Sequence, residues 1–454
     1  MFARMQRCLS AVAVISVGLC VAYGMPSALG QGTNVFLNVG TQSPITMLIN
    51  EGPWYEAFAS TVQLYERQTS NIVKLDANPY PAMLSKIRNS TRENVSPYDL
   101  FSIDDPWTLE LYSQDLLEPL KSLDPTFALD SHVYTYDGAP FWNPRLNWRT
   151  SNGGVLMTVP INGNFELFFY RDDLFKQAGI RLPTTWDEMV ADCPKLQDPP
   201  RVYCYVQRGV GAEGFFNPYL RNYGASIVRD PEHGDFTVLV NSPTAKKALD
   251  TYVTLAVKYG PPNEAAINQN DMVQLMAAGK VAAMTNVVAV WSSLEDPNNS
   301  NVVGKIATAI PPRSRDGRFA SRLGNWEAGI PRNIPSERKR ASLAFLKWVL
   351  SYGAQYQYAV HGGVPVRSDV YRSDLASRPG FGWMKAYLAT APYSYHDLNY
   401  LEAPGVANAE AIRINQAIGG QLSTAKALNL LAEDLYKIFL STGRRTGKLP
   451  PLPE

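Results

Sequence analysis

Histidine and cysteine are scarce in this 454-residue chain, with four of each. The histidines, His132, His233, His361 and His396, stand far apart in sequence, so no short metal-ligand spacing arises from them. No H-E-x-x-H, C-x-x-C or G-x-S-x-G occurs, which removes the usual signatures of zinc proteases, dithiol redox proteins and serine hydrolases. "GRRTGK" (443–448) lacks the spacing of a phosphate-binding loop, and Leu449 stands where Ser or Thr belongs. Ser336 and Lys339 match the S-x-x-K spacing only at the start of a charged helix. An excess of one charge is also missing: 42 Lys and Arg face 41 Asp and Glu, without a long like-charge run, which argues against a nucleic-acid partner. A glycosidase-type carboxylate pair is numerically possible among so many acids, but nothing singles one out. The residues suggest no metal or other cofactor.

Long apolar runs are limited to the N-terminus. Arg4 and Arg7 precede an uncharged, mostly apolar stretch from Leu9 to Ala22, too short to span a bilayer comfortably. Ala28-Leu29-Gly30 supplies small residues at −3 and −1 of a cleavage site before Gln31. Residues 1–30 therefore read as a cleaved signal peptide, implying a periplasmic protein. Lipid anchoring at Cys20 is disfavoured because Leu19 is bulky where a small residue is needed. Cleavage removes two arginines and no acid, leaving 40 basic and 41 acidic side chains. It also removes Cys8 and Cys20. Cys193 and Cys204 then remain as the one pair in an exported chain, and a disulfide closing a small proline-containing loop is expected, worth ~2–3 kcal/mol.

Aromatics, by contrast, are plentiful, with 9 Trp and 24 Tyr. Their flat apolar faces and polar edges suit amphipathic ligands as well as cores. The pattern along the chain alternates strand and helix: "NVFLNVG" (34–40) as a first strand, a helix over 53–70, strands at 71–77 and 96–104, and a helix over 108–120. A looser stretch, 124–153, precedes a second set of elements. This rhythm implies parallel strands with crossover helices, an α/β fold. "LFFYRDDLFKQAGIRLPTTWDEM" (167–189) is sharply punctuated. It runs from an apolar strand to a short helix with Gly179 at its C-terminus, then Pro183, then a second helix with Thr185 and Glu188 at capping-box spacing. Further helices are expected over 242–260, 270–278, 334–360 (bent near Gly353) and 425–441, with strands near 281–286 and 304–312 and a frayed tail, "GKLPPLPE".

Five of these stretches resemble, in order, the landmarks of family 1 extracellular solute-binding proteins of ABC importers, the maltose-binding-protein-like sugar and polyol receptors. They are "SPYDLF…LELYSQDLLEPL", "YRDDLFKQAGIRLPTTWDEM", "MAAGKVAAMTNVVAVW", "LGNWEAGIPRN" with "ASLAFLKWVLS", and "HGGVPVR". Asp115 replaces a glycine usual in the first, and Arg171 an asparagine usual in the second. The resemblance implies a two-lobed periplasmic-binding-protein fold with strands crossing between lobes and a ligand cleft. Lobe 1 would span 31–161 with 306–352, and lobe 2 162–305 with 353–454. The implied protein is a monomeric, non-enzymatic receptor that closes on a carbohydrate by hinge bending and delivers it to membrane permease subunits. A glycerol-3-phosphate-type ligand is the rival within the family, although no Lys or Arg cluster stands at the expected cleft positions.

A sugar needs carboxylates, amides or guanidinium groups for its hydroxyls and an aromatic plate for its ring. Asp104, Asp105 and Trp107 follow a strand and offer both; either aspartate could instead cap the next helix. Asn162 and Asn164 lie at the expected first crossing. The resemblance points to Trp291 and to Trp326 beside Asn325 as stacking positions, and places Arg367 where it binds hydroxyls or forms a structural ion pair. Trp54 and Tyr55 are weaker candidates.

Overall fold

The computed structural model describes residues 36–454; the expected signal peptide and its cleavage site lie outside them. Nine strands build two sheets. β1 (Ile45–Asn50), β2 (Val73–Asn78), β3 (Leu100–Asp104), β4 (Thr158–Asn162) and β9 (Trp326–Gly329) form the first, in the order β2-β1-β3-β9-β4. β5 (Glu166–Arg171), β6 (Tyr203–Val206), β7 (Val281–Val287) and β8 (Ile306–Ala309) form the second, in the order β8-β5-β7-β6. Each sheet carries helices and forms the centre of one lobe. β1 pairs in parallel with β2 and β3, while β9 runs antiparallel to β3 and β4.

Burial explains the strand sequences. Leu167, Phe168 and Phe169 of β5 expose nothing, and all seven residues of β7 are buried, as befits strands covered on both faces. The expected strand at 34–40 does not form over its described residues, 36–40; the first strand is the more apolar Ile45–Asn50, held between two parallel neighbours. Aromatics fill the helix–sheet layers. Trp348 meets Tyr65 at 5.1 Å in the first lobe, and Trp186 stacks on Tyr219 at 4.2 Å in the second. Burial of each such side chain contributes on the order of 3 kcal/mol.

The punctuated connector folds as its sequence dictates. Helix Asp172–Gln177 ends ahead of Gly179 at φ +65°, and Thr185 caps helix Trp186–Leu196 in a reciprocal box with Glu188. Cys193 on that helix is bonded to Cys204 in β6, tying helix to sheet. The long C-terminal helical stretch is two helices, Ser336–Val349 and Tyr352–Val360, divided just before Gly353 where Ser351 caps the second. The tail is not frayed: Asn429 exchanges hydrogen bonds of 2.8 and 2.9 Å with the Leu452 backbone, and Leu452 is buried. Helices Tyr80–Arg92 and Ala403–Ile418 fall in stretches where no element was expected.

Chain passes between the lobes at 163–165, from β4 to β5, at 323–325, before β9, and a third time after helix Tyr352–Val360, since helix Trp383–Thr390 packs on β8. The passages are joined: Gly324 N donates to Asn164 O at 2.9 Å, and Gly163 N to Val364 O at 2.9 Å. A side chain at Gly163 would collide with Tyr136 Oη, the Pro365 carbonyl and Tyr387 Oη, so glycine is required at this crossing. The expected lobe boundaries shift in two places. β8 pairs with β5, putting Ile306–Ala309 in the second sheet, and helix Tyr352–Val360 packs on helix Tyr55–Thr69 of the first lobe, where Tyr358 meets Phe58 at 6.2 Å.

Candidate ligand-binding site

Three parallel strands of the first sheet end at Asn50, Asn78 and Asp104, and each is followed within four residues by a large aromatic: Trp54, Tyr80 and Trp107. Parallel strands align their carboxyl ends, so the topology gathers these side chains on one edge, where ligands of open α/β sheets bind. β9 adds Trp326 to the same edge, in register with Asp104 on one side and Asn162 on the other. The result is a contiguous aromatic wall. Tyr80 lies 4.9 Å from Trp107 at a shallow 33°, and Trp326 stands edge-on to both at 6.2 and 5.7 Å, with Trp54 behind at 5.5 Å.

Exposure within this wall is uneven. Trp54, Trp107 and Trp326 expose 1, 9 and 5%, whereas Tyr80 exposes 48%. Tyr80 therefore presents the open ring, and the tryptophans back it. Its hydroxyl donates to Asp104 Oδ2 at 2.9 Å, and burial pushes the Asp104 carboxyl up to about 6 against the pull of Arg322.

The second lobe faces the wall with charged and unpartnered groups. Arg322 pairs with Asp397 at 3.5 Å. Arg208 lies over the Phe215 ring at 5.1 Å and, with Arg322, opposes the upward effect of burial on Glu213. Glu166, at the head of β5, is fully buried, and neither carboxylate oxygen has a hydrogen-bond partner among the described residues. Burial raises its carboxyl to about 8, despite Arg322 nearby. A buried polar group without a partner costs free energy, about 1–3 kcal/mol, which a hydroxylated ligand or water would recover. Asn162 Nδ2 is in the same position, its Oδ1 being taken by Tyr358 Oη at 2.8 Å. Two guanidinium groups thus do gather in the cleft, contrary to the sequence expectation, but Glu166, Glu213 and Asp397 surround them.

Of the residues proposed from sequence, Asp104, Trp107, Asn162 and Trp326 come together on this edge. Asn164 and Asn325 serve the crossings: Asn164 Oδ1 accepts from Ala289 N at 3.0 Å, and Asn325 Nδ2 donates to Glu327 at 2.7 Å. Asp105 turns away from its neighbour into a buried network with Arg149 at 2.8 Å and His396 Nδ1 at 3.1 Å. Burial opposes its ionisation, but these two partners outweigh burial and hold it at about 2. Trp291 is corrected: its indole donates to Gly380 O at 2.7 Å and lines a separate apolar cavity with Ala359, Gly362 and Phe381. Arg367 is held by Asp369 at 2.7 Å, Asp130 at 3.4 Å and the Leu350 carbonyl at 3.0 Å, which is the structural ion pair that the sequence left open beside hydroxyl binding. Sequence reading missed Tyr80, Glu166, Arg208 and Arg322. Tyr80 had a signal, since it follows a strand end as Trp107 does; Glu166 was visible only as a lone acid heading an apolar strand.

Comparison with known proteins shows the family and the fold. Residues 48–356 match the family described as bacterial extracellular solute-binding protein, and the chain belongs to that family. A mannitol-binding protein of Pseudomonas aeruginosa is 27% identical over 330 residues, 71% of this chain and 70% of the relative. Among solved structures, maltose-bound MalE3 of T. maritima superposes with a TM-score of 0.75 at 23% identity, over 87% of this chain and 99% of that one. A solute-binding protein of Agrobacterium vitis with bound D-mannitol gives 0.71 at 20%, over 89% and 100%. The two-lobed fold of these binding proteins is the fold of this chain.

Proposed function

We propose that this protein is the extracytoplasmic receptor of an ABC importer, capturing a sugar, oligosaccharide or polyol between its lobes and presenting it to the permease. One observation carries the reading: an aromatic wall with one open ring, Tyr80, stands opposite buried carboxylates and half-buried guanidinium groups, several of whose polar atoms lack partners. Apolar ring faces match the wall, and hydroxyls, which both donate and accept, match a mixed set of Asp104, Glu166, Arg208 and Arg322. The mannitol-binding relative and the maltose- and mannitol-bound neighbours support a carbohydrate. On this reading residues 1–30 direct export to the periplasm and are removed, the protein acts as a monomer without turnover, and residues 163–165 and 323–325 absorb the closing motion.

A neighbour of the same fold is a Mycobacterium tuberculosis protein in complex with glycerophosphocholine, with a TM-score of 0.73 at 18% identity over 88% of this chain and 99% of that one. The paired arginines would welcome a phosphodiester, but the surrounding carboxylates disfavour an anion. Thermal shift over hexoses, hexitols, disaccharides and glycerophosphodiesters separates the readings. Carbohydrate at ~100 times Kd should add ~2.7 kcal/mol. Stabilisation by phosphodiesters alone would overturn the carbohydrate assignment.

A further inference from the structure

A second set of polar contacts spans the two lobes, apart from the groups that face the cleft. On the first lobe, Arg149 Nη1 is within reach of the Asp105 carbonyl at 2.7 Å, Asp105 Oδ1 at 2.8 Å and Thr108 Oγ1 at 3.0 Å. Asp105 directly follows β3, and Arg149 lies in the stretch that leads to β4, so both are carried by the first sheet. On the second lobe, Ser394–Tyr395 pairs in parallel with Ser321–Arg322, and the Ser321 hydroxyl donates to the Glu166 carbonyl of β5 at 2.7 Å. The chain runs on to Asp397, which accepts from Asn217 Nδ2 on helix Glu213–Asn222 at 2.9 Å. His396 and Asn399 are therefore carried by the second lobe.

The two halves meet twice. His396 Nδ1 is bonded to Asp105 Oδ2 at 3.1 Å, and Arg149 Nε donates to Asn399 Oδ1 at 2.8 Å. Asp105, Arg149 and His396 are all buried. A hydrogen bond is lost once its heavy atoms part by about half an ångström beyond the ordinary length, so a rotation of one lobe against the other breaks both contacts. Parting them strands no charge, because Arg149 still neutralises Asp105 within the first lobe. Nor is the joined state saturated: Arg149 Nη2 and His396 Nε2 have no partner among the described residues, and water entering an opened junction would satisfy them. The junction is thus built to be made and broken. Buried polar contacts of this kind add little to overall stability, and their best-attested use is to select one arrangement over another.

We infer that Asp105 and Arg149 of the first lobe and His396 and Asn399 of the second form an inter-lobe latch. They are positioning residues, which act through closure rather than through ligand contact. The latch sets what fraction of the protein is closed, and a ligand gripped between the lobes has an apparent affinity in proportion to that fraction. This inference rests on the reading of the chain as a receptor that closes on its ligand, and it names the residues that govern the closing.

Asn399→Ala and His396→Leu each remove one contact, whereas His396→Asn keeps a donor toward Asp105. Calorimetry, stopped-flow release and small-angle scattering on wild type and these three variants test the latch, with D-mannitol, D-glucose, maltose and trehalose as probes. Asn399→Ala and His396→Leu should weaken the tightest-bound probe by ~3–10-fold, the worth of one hydrogen bond, chiefly through faster release. His396→Asn should recover most of that loss. Without ligand, the first two variants should have a larger radius of gyration than wild type, and Asn399→Ala, whose side chain is half-buried, should melt close to it. If affinity, release rate and radius all match wild type in both variants, the latch is refuted, and closure of wild type on any probe still upholds the receptor. If wild type binds none of the four probes, the carbohydrate reading fails instead. The unliganded radii then decide the latch alone: larger in both variants supports it, unchanged refutes it.

Discussion

Tyr80 Oη donates to Asp104 Oδ2 at 2.9 Å, and this hydrogen bond orients both the open ring of the aromatic wall and the carboxylate beside it. Asp105, the next residue, faces Arg149 and His396 instead. Two adjacent aspartates thus stand in different settings, the first on the aromatic edge and the second in the buried frame.

Tyr80 should matter more for affinity than for stability. Because 48% of it is exposed, Tyr80→Ala should cost little packing and about 1–3 kcal/mol for the donor that Asp104 loses, while weakening ligand ~10–100-fold, the range of an aromatic anchor. Tyr80→Phe keeps the ring and should lose only ~3–10-fold. Paired melting curves and titrations check both, and unchanged affinity in Tyr80→Ala would move the stacking surface elsewhere.

Trp326 should behave differently. Packed against Trp54, Tyr80 and Trp107 and 5% exposed, it is both support for the site and part of the core. Trp326→Ala should lose ~3–5 kcal/mol of stability as well as affinity. Denaturant unfolding of this variant measures the first and calorimetry the second.

How much of this was legible in the sequence follows from how local each signal is. The capping box at Thr185, the cap at Gly179 and the apolar run of β5 are written within a few residues each, and all three form. The meeting of Asp104, Asn162 and Trp326 depends on β9 pairing with strands more than 150 residues away, which no local pattern encodes; only the resemblance to a family pointed there. Arg322 and Glu166 were hidden for the same reason. Arg367 and Trp291 fell at suggestive positions, but nearby Asp369 and Gly380 satisfy them. The tail was misread because its anchor, Asn429, lies on another element.

Stability should fall as pH rises from about 5 to 8. Burial lifts the carboxyls of Glu327 and Glu166 to about 8 in the folded protein, well above their unfolded value, although Glu327 accepts from Asn325. Between the two values the folded state holds more protons than the unfolded chain, so raising pH removes stability, by up to ~1.4 kcal/mol per pH unit for each group. Melting temperatures across this window measure the slope, and Glu327→Gln should flatten it. A rise in stability over the same range would refute the assignment.

The Cys193–Cys204 bond closes a short loop of sequence separation 11. Cys193→Ser with Cys204→Ser should cost ~2–3 kcal/mol without altering ligand affinity, since Cys193 in helix Trp186–Leu196 and Cys204 in β6 are both fully buried. Urea unfolding of the double variant gives the cost directly.

The central claim is that this chain binds carbohydrate between closing lobes. Isothermal titration of the purified protein lacking residues 1–30 with hexitols, hexoses and disaccharides, followed by small-angle scattering with and without the tightest binder, tests it most directly. The account predicts saturable one-to-one binding of a carbohydrate, no turnover, and a smaller radius of gyration in the complex. Absence of binding across the series, or release of a hydrolysed product, would contradict it.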